Sequence, residues 1–402
     1  MSHCADRLGL EIDRLKRLAV ALLLSFRVAT CLAQPTPGLT LTISGDPTAA
    51  VSNPLQCDVH ESPDAPARAI HLSNGSVQLY ATDQVNQLTT GSNLLHLVQN
   101  CGVVYQGGHD DDPAAFDDRS WLATPWTSDG NTIWVIVHDE FHGDLRKDLC
   151  PSGRYMDCWY NTLTLAVSTD SGQHFHRADP QKTVASVPYR YEDVGKGHHG
   201  FFNPTNIVSR DGQLYMLAFA TKTGVQAEGN CLLRTKTIAD ASSWLAWDGR
   251  NFAVHLINPY QETGDPAQHV CQPVAPGSLR WPVASLVRHV ETGLYIALME
   301  NATRNGGIYY STSADLVQWS MPSQLMPVIG VGGWVCGDPQ PLAYPSLLDP
   351  ASSDRNFETV GDRPSLFLTQ FDVKGCNRGQ RRNLMRWQVK ISPLELHNKT
   401  LP

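Results

Sequence analysis

One pattern recurs five times along this chain: a short apolar strand, a turn closed by glycine, and a second strand alternating apolar and aromatic residues. The turns are Ser73-Asn74-Gly75, Ser128-Asp129-Gly130, Arg210-Asp211-Gly212, Glu291-Thr292-Gly293 and a longer connection ending at Gly361. The returning strands are Val77–Ala81, Ile133–Val137, Leu214–Ala218, Leu294–Leu298 and Leu366–Thr369. Asn-Gly and Asp-Gly between alternating segments are strong hairpin signals, because both residues tolerate positive φ. Third strands follow at Leu163–Val167, Leu232–Thr235, Gly307–Tyr310 and Asn383–Trp387. A unit of this size cannot bury its own apolar face, so units must stack, as a propeller or, in the alternative, as a β-sandwich or β-helix. The expectation is an all-β chain: a five-bladed β-propeller of four-stranded antiparallel blades.

The cysteines set the compartment. Ten occur in 402 residues; setting aside Cys4 and Cys31 leaves Cys57, Cys101, Cys150, Cys158, Cys231, Cys271, Cys336 and Cys376. An even set without Cys-x-x-Cys spacing reads as a disulfide framework, not as zinc ligands. Sequential pairing (57–101, 150–158, 231–271, 336–376) closes each loop within or next to one repeat. Export agrees with the leader, where Arg14, Lys16 and Arg17 precede an apolar run from Leu18 and Cys31-Leu32-Ala33 offers a cleavage site. The run is too short to span a bilayer. The expected organisation is a signal peptide over 1–33, a linker or N-terminal extension over 34–56 and the propeller over 57–402, in a secreted (extracellular or periplasmic) monomer without a membrane span. A formal charge of −8 and the lack of a basic cluster argue against nucleic acid.

Propeller geometry converts strand order into a functional map. Residues just before the first strand and just after the second strand of every blade ring one funnel. That rule collects Asp64 and Asp83; His138, Asp139, Glu140 and His142; His198, His199, Asn203 and Lys222; Arg280, Trp281 and Glu300; Tyr344 and Asp372. Carboxylates for proton transfer, aromatics to stack on sugar rings and polar groups to bond hydroxyls make a carbohydrate the expected partner. Strand alternation puts His138, Glu140 and His142 on one side and Asp139 on the other. An imidazole beside Glu140 would tune its proton affinity. No phosphate-binding glycine loop or haem motif occurs, so no cofactor and no metal ligand set is expected, although the central channel leaves room for a structural cation.

Two local resemblances sharpen this. Ser168–Phe175 resembles the aspartate box of sialidase-like propellers, a folding turn, and Ser313–Trp319 is a degenerate form. Ser62-Pro63-Asp64 with the following strand ending Leu79-Tyr80-Ala81-Thr82 resembles the first blade of five-bladed glycosidases of family 43 and relatives, as does Ser311–Trp319. The resemblance implies that Asp64 is a catalytic base. It does not extend to the other two carboxylates of that family: Asn203 stands where an Asp is expected, and the fourth blade opens Arg280-Trp281-Pro282 without a Glu. The expectation is therefore a secreted glycoside hydrolase with Asp64 as base, Glu140 as acid, His138 or His142 as tuner and Glu300 as substitute. The alternatives are a polysaccharide lyase with a His142 or Tyr344 base and Arg280 or Lys222 against a uronate, and a non-catalytic sugar-binding propeller.

Overall fold

A computed structural model describes residues 38–51, 57 and 63–394, apart from the side chain of Gln380. The expected signal peptide over 1–33 lies outside the described residues.

Among the described residues the strands form four hydrogen-bonded sheets that divide into five blades, each antiparallel within itself, with blades II and III joined in one sheet. Blade I comprises Arg68–His71, Val77–Tyr80, Val85–Asn93 and His96–Gln106 in that order. Blade II comprises Arg119–Trp126, Ile133–His142, Cys158–Ser168 and the short His176–Arg177. In blade III the innermost strand is split into Gly197–Phe202 and Val208–Arg210, both paired with Gln213–Ala220 and followed by Gly229–Thr235 and Leu245–Trp247. Blade IV runs Val283–His289, Tyr295–Asn301, Gly307–Ser313 and Ser323–Met326. Blade V runs Leu342–Leu348, Ser365–Lys374 and Asn377–Pro393, and its outer strand is Leu39–Ala49 from the other end of the chain. Residues 39–49, expected as linker or N-terminal extension, are thus a strand of blade V, ahead of the expected boundary at 57. Leu39 and Leu41 are buried while Thr40 and Thr42 are exposed, the period-2 signature of a half-buried strand. Pairing first with last strand removes two sheet edges.

The innermost strands close a ring through specific hydrogen bonds. Asn86 binds Ser120 O and Leu122 N, joining blades I and II. Thr124 Oγ1 donates to Thr205 O, and Leu286 N donates to Asn206 Oδ1. Leu347 N donates to Ser285 Oγ, and Ser346 Oγ donates to Ala67 O. On the axis sits Arg68, 2% exposed, donating to the carbonyls of Ala67, Pro204 and Ala284 and to Ser346 Oγ. Its guanidinium thus bonds oxygens contributed from blades I, III, IV and V.

All four sequential disulfides form, with Cα–Cα separations of 5.4, 6.0, 5.9 and 4.6 Å. They fit an oxidising compartment. No described helix is long and apolar enough to cross a membrane. The Ser168–Phe175 and Ser313–Trp319 turns are built alike: Asp170 and Asp315 each accept from two backbone N–H groups, and Ser168 and Ser313 each cap the bend.

Two features position the site. Gly197–Gly200 pairs in parallel with Cys158–Asn161, so blades II and III share one continuous sheet where both approach the funnel. Asn203 and Tyr344, each directly before a proline, occupy the left-handed region at φ 55° and 60°. Asn203 lies in the break between the two halves of the blade III innermost strand, and Tyr344 lies at the irregularity between Ala343 and Ser346 in that of blade V. A non-glycine residue there is strained, and such strain collects at binding sites.

Candidate active site

The second strand of blade II runs past the blade to His142, and its paired neighbours set the wall of the site. Arg119 lies opposite Glu140 on the first strand, Asn161 opposite Glu140 on the third, and Trp159 opposite His142. His198 then pairs with Trp159 across the blade junction, and the two rings stack at 3.8 Å. The 150–158 disulfide loop folds Tyr155 back onto this wall, its ring 5.0 Å from His142 and 4.5 Å from Trp159. The turn after His142 is fixed from behind, where Asp118 Oδ2 accepts from His142 N (2.9 Å) and from Arg146 (3.0 Å).

Glu140 is the centre of the wall. Its Oε2 is 2.9 Å from His142 Nε2 and its Oε1 is 3.7 Å from His138 Nε2. Burial alone would raise its proton affinity. The His142 hydrogen bond and the nearby His138, His142 and His198 rings outweigh it and hold Glu140 below the ordinary value, so it is ionised. The imidazoles therefore tune Glu140 downwards. His198 is itself pushed down to about 4 by burial, and burial lowers His138 as well.

Across the funnel stands Asp64, just ahead of the first strand of blade I. Its Oδ1 accepts from Tyr344 Oη at 2.9 Å and from Arg382 of blade V. Burial dominates over both partners, and with Glu140 and Asp83 adding repulsion the carboxyl is pushed up to about 7. Asp64 thus feels Glu140 directly. The Tyr155 hydroxyl is within electrostatic reach of both, and of Asp144 and Arg119. Glu300, half-buried, accepts from Tyr344 N at 2.9 Å and is raised by burial to about 7.

The remaining expected residues separate into two groups. Asp83, 3% exposed, lies within electrostatic reach of Asp64. Asn203 lies in the break of the blade III innermost strand, the Trp281 and Tyr309 rings lie 4.5 Å apart and tilted, and Asp372 is half-buried towards the end of Ser365–Lys374 in blade V. Asp139 points to the opposite side of its strand, as alternation predicts, and is sealed between Ser120 Oγ and Thr164 Oγ1, both at 2.5 Å; what is corrected is its place among the funnel residues. His199 likewise turns away, bonded to Thr223 Oγ1 at 3.1 Å. Lys222 and Arg280 are exposed, with Arg280 donating to Gly277 O, so neither is held in the funnel.

Four residues of the site escaped the sequence reading. Arg119 begins a first strand, so the funnel rule applied to blade II would have found it. Trp159, second in Cys158–Ser168, and Arg382, inside Asn377–Pro393, belong to third strands, which that rule omits. Tyr155 comes from a loop whose direction depends on the disulfide. Buried polar atoms without partners gather here: Arg119 Nε, Asp144 Oδ1, Trp159 Nε1, Asn161 Oδ1 and His198 Nε2. Each is a buried group free to bond a water or a polar ligand.

No family model matches the chain, and no curated protein matches it. Solved structures similar to it include a protein of unknown function from Dyadobacter fermentans (11% identity, 89% of this chain and 100% of that one, TM-score 0.45). A GH43 β-xylosidase/α-arabinofuranosidase from a compost microbial metagenome is similar at 13% identity over 88% and 96%, TM-score 0.45. The catalytic domain of a GH62 α-L-arabinofuranosidase from Coprinopsis cinerea is similar at 9% identity over 88% and 98%, TM-score 0.45.

Proposed function

We propose that this protein is a secreted glycoside hydrolase acting on a poly- or oligosaccharide in the funnel, with Asp64 as proton donor and Glu140 as the ionised partner. The observation that carries the reading is the opposed proton affinity of two carboxylates within electrostatic reach of each other, Asp64 raised and Glu140 lowered. Environments that push two carboxyl groups apart assign acid and base. The roles are thereby exchanged relative to the sequence expectation. Asp64 gives its proton to the glycosidic oxygen as the bond to the anomeric carbon breaks. Glu140 supplies negative charge on the other side, as base towards water or as nucleophile. The unpartnered donors and acceptors of the wall suit the hydroxyl groups of a sugar.

The test is release of reducing sugar from a panel of plant, algal and microbial polysaccharides by wild type, Glu140→Gln and Asp64→Asn. Loss of roughly 100-fold or more in both variants, with folding retained, is the expected result for an acid/base pair. Ultraviolet absorbance of an unsaturated uronate, surviving both substitutions, would replace hydrolysis by elimination. Binding without turnover on every substrate would make the funnel a lectin site.

A further inference from the structure

Arg119 is the residue for which the hydrolytic reading has no use. It begins the first strand of blade II, in register with Glu140, and its side chain is half-buried. Every other buried or half-buried arginine among the described residues has a partner. Arg68, Arg146, Arg177, Arg210, Arg355, Arg382 and Arg386 donate hydrogen bonds, and Arg234 lies over the Phe252 ring. Arg119 has none, and its Nε is sealed from solvent with no acceptor.

The cost of that arrangement is informative. A guanidinium presents five donors in a fixed planar fork and is charged at every physiological pH. Leaving a buried donor unmade costs about 1–3 kcal/mol, more for a charged group. Folding would be served better by a leucine or by an acid opposite the fork. The facing residues do not supply one: Glu140 is engaged by His142, Asp64 by Arg382 and Tyr344, and Asp139 on the other side of the strand by Ser120 and Thr164. The fork stays open beside the Tyr155 hydroxyl, in the same funnel as the two carboxylates.

We propose that Arg119 is a specificity-determining residue that receives an anionic group of the sugar, a uronate carboxylate or a sulfate ester, in a bidentate pair. The inference rests on the funnel being the carbohydrate site, and deepens that reading by naming the substrate class. A carboxylate or sulfate matches the spacing of the guanidinium fork, which a neutral hydroxymethyl group does not. Such a site rejects the neutral sugar because the buried donors would then remain unpaired.

The experiment is calorimetric binding of oligogalacturonide and glucuronoxylan-derived oligosaccharides, sulfated galacto-oligosaccharides, and their neutral counterparts. It compares wild type with Arg119→Gln and Arg119→Lys, and hydrolysis is followed separately. Wild type should prefer one anionic set over its neutral partner by about tenfold or more. Arg119→Gln should erase that ratio, and Arg119→Lys should restore part of it by keeping the charge without the fork. The set preferred, uronate or sulfate, tells the two sources apart. A wild type that binds neutral and anionic sugars equally, or a ratio unchanged in Arg119→Gln, overturns the proposal even if hydrolysis is found. Arg119-dependent anion binding without hydrolysis would uphold it while removing the hydrolase reading.

Discussion

The Tyr344 hydroxyl donates a 2.9 Å hydrogen bond to Asp64 Oδ1, tying the entrance of blade V to the entrance of blade I. The tyrosine can reach because its own backbone is left-handed, and Glu300 of blade IV holds that backbone through Tyr344 N. Three blades thus fix the position and proton affinity of one carboxyl.

Tyr344→Phe should therefore act on Asp64 more than on the fold. The hydroxyl favours the ionised carboxylate, so its loss raises the Asp64 pKa further above about 7. With Asp64 active in its protonated form, activity falls as pH rises through that value, and the substitution moves this alkaline limb to higher pH. The acid limb, set by protonation of Glu140, should stay where it is. A pH profile of kcat/KM decides the point, since mere loss of folded protein would scale both limbs equally.

Glu300 offers a test through stability. Its carboxyl rises from an ordinary 4.5 to about 7 in the folded protein, so folding favours the protonated form. The stabilisation is complete below about 4.5 and is lost as pH rises through about 7. The span corresponds to about 3 kcal/mol. Glu300→Gln cannot titrate, and its amide oxygen can still accept from Tyr344 N. Urea unfolding across this range should show a flatter dependence on pH in the variant than in wild type, and an unchanged slope would mean that Glu300 does not hold the proton.

The disulfides should divide between stability and function. The Cys336–Cys376 bridge closes a sequence separation of 40, worth about 4 kcal/mol on loop entropy, against about 2.5 kcal/mol for the separation of 8 between Cys150 and Cys158. The shorter loop carries Tyr155 onto His142 and Trp159. Cys150→Ser/Cys158→Ser should lower melting temperature less than Cys336→Ser/Cys376→Ser, yet weaken oligosaccharide binding more. Thermal melts and calorimetry on the two pairs read both effects.

Most of the blade order was legible because it is written in local chemistry: hairpin turns, alternation and cysteine spacing each act over a few residues. The site was legible only where it follows from strand order. Glu140 and its histidines came from alternation along one strand, and Asp64 from its place ahead of another. Arg382 and Trp159 were hidden because third strands reach the funnel only when they outrun their blades, which depends on strand length. The exchange of roles between Asp64 and Glu140 was hidden as well. It depends on how deeply each carboxyl is buried and on His142 standing 2.9 Å away, a distance no spacing in the sequence encodes. The outer strand at 39–49 was the opposite case, since Leu39, Leu41 and Ile43 alternate plainly, but its partner lies more than 300 residues away.

The junction between blades II and III rests on Gly200. The residue sits at φ +109°, and a Cβ there would meet the Asn161 carbonyl oxygen at 1.9 Å and its carbon at 2.7 Å. These are backbone atoms of the strand with which Gly200 pairs in parallel, so no rotamer change relieves the clash. Gly200→Ala must therefore push Gly197–Gly200 away from Cys158–Asn161. That separates His198 from Trp159 and opens the wall behind Glu140. Strain of this kind costs about 1–3 kcal/mol for the backbone conformation alone. With His198 displaced, Glu140 loses one of the rings that hold its proton affinity down, so the acid limb of the pH profile should move upward. The control is Gly212→Ala, at φ +70° in an outlying hairpin turn with nothing within 4 Å of the added carbon. It should cost stability through its φ without moving that limb. Equal pH profiles for the two variants would mean that the blade junction does not govern the site.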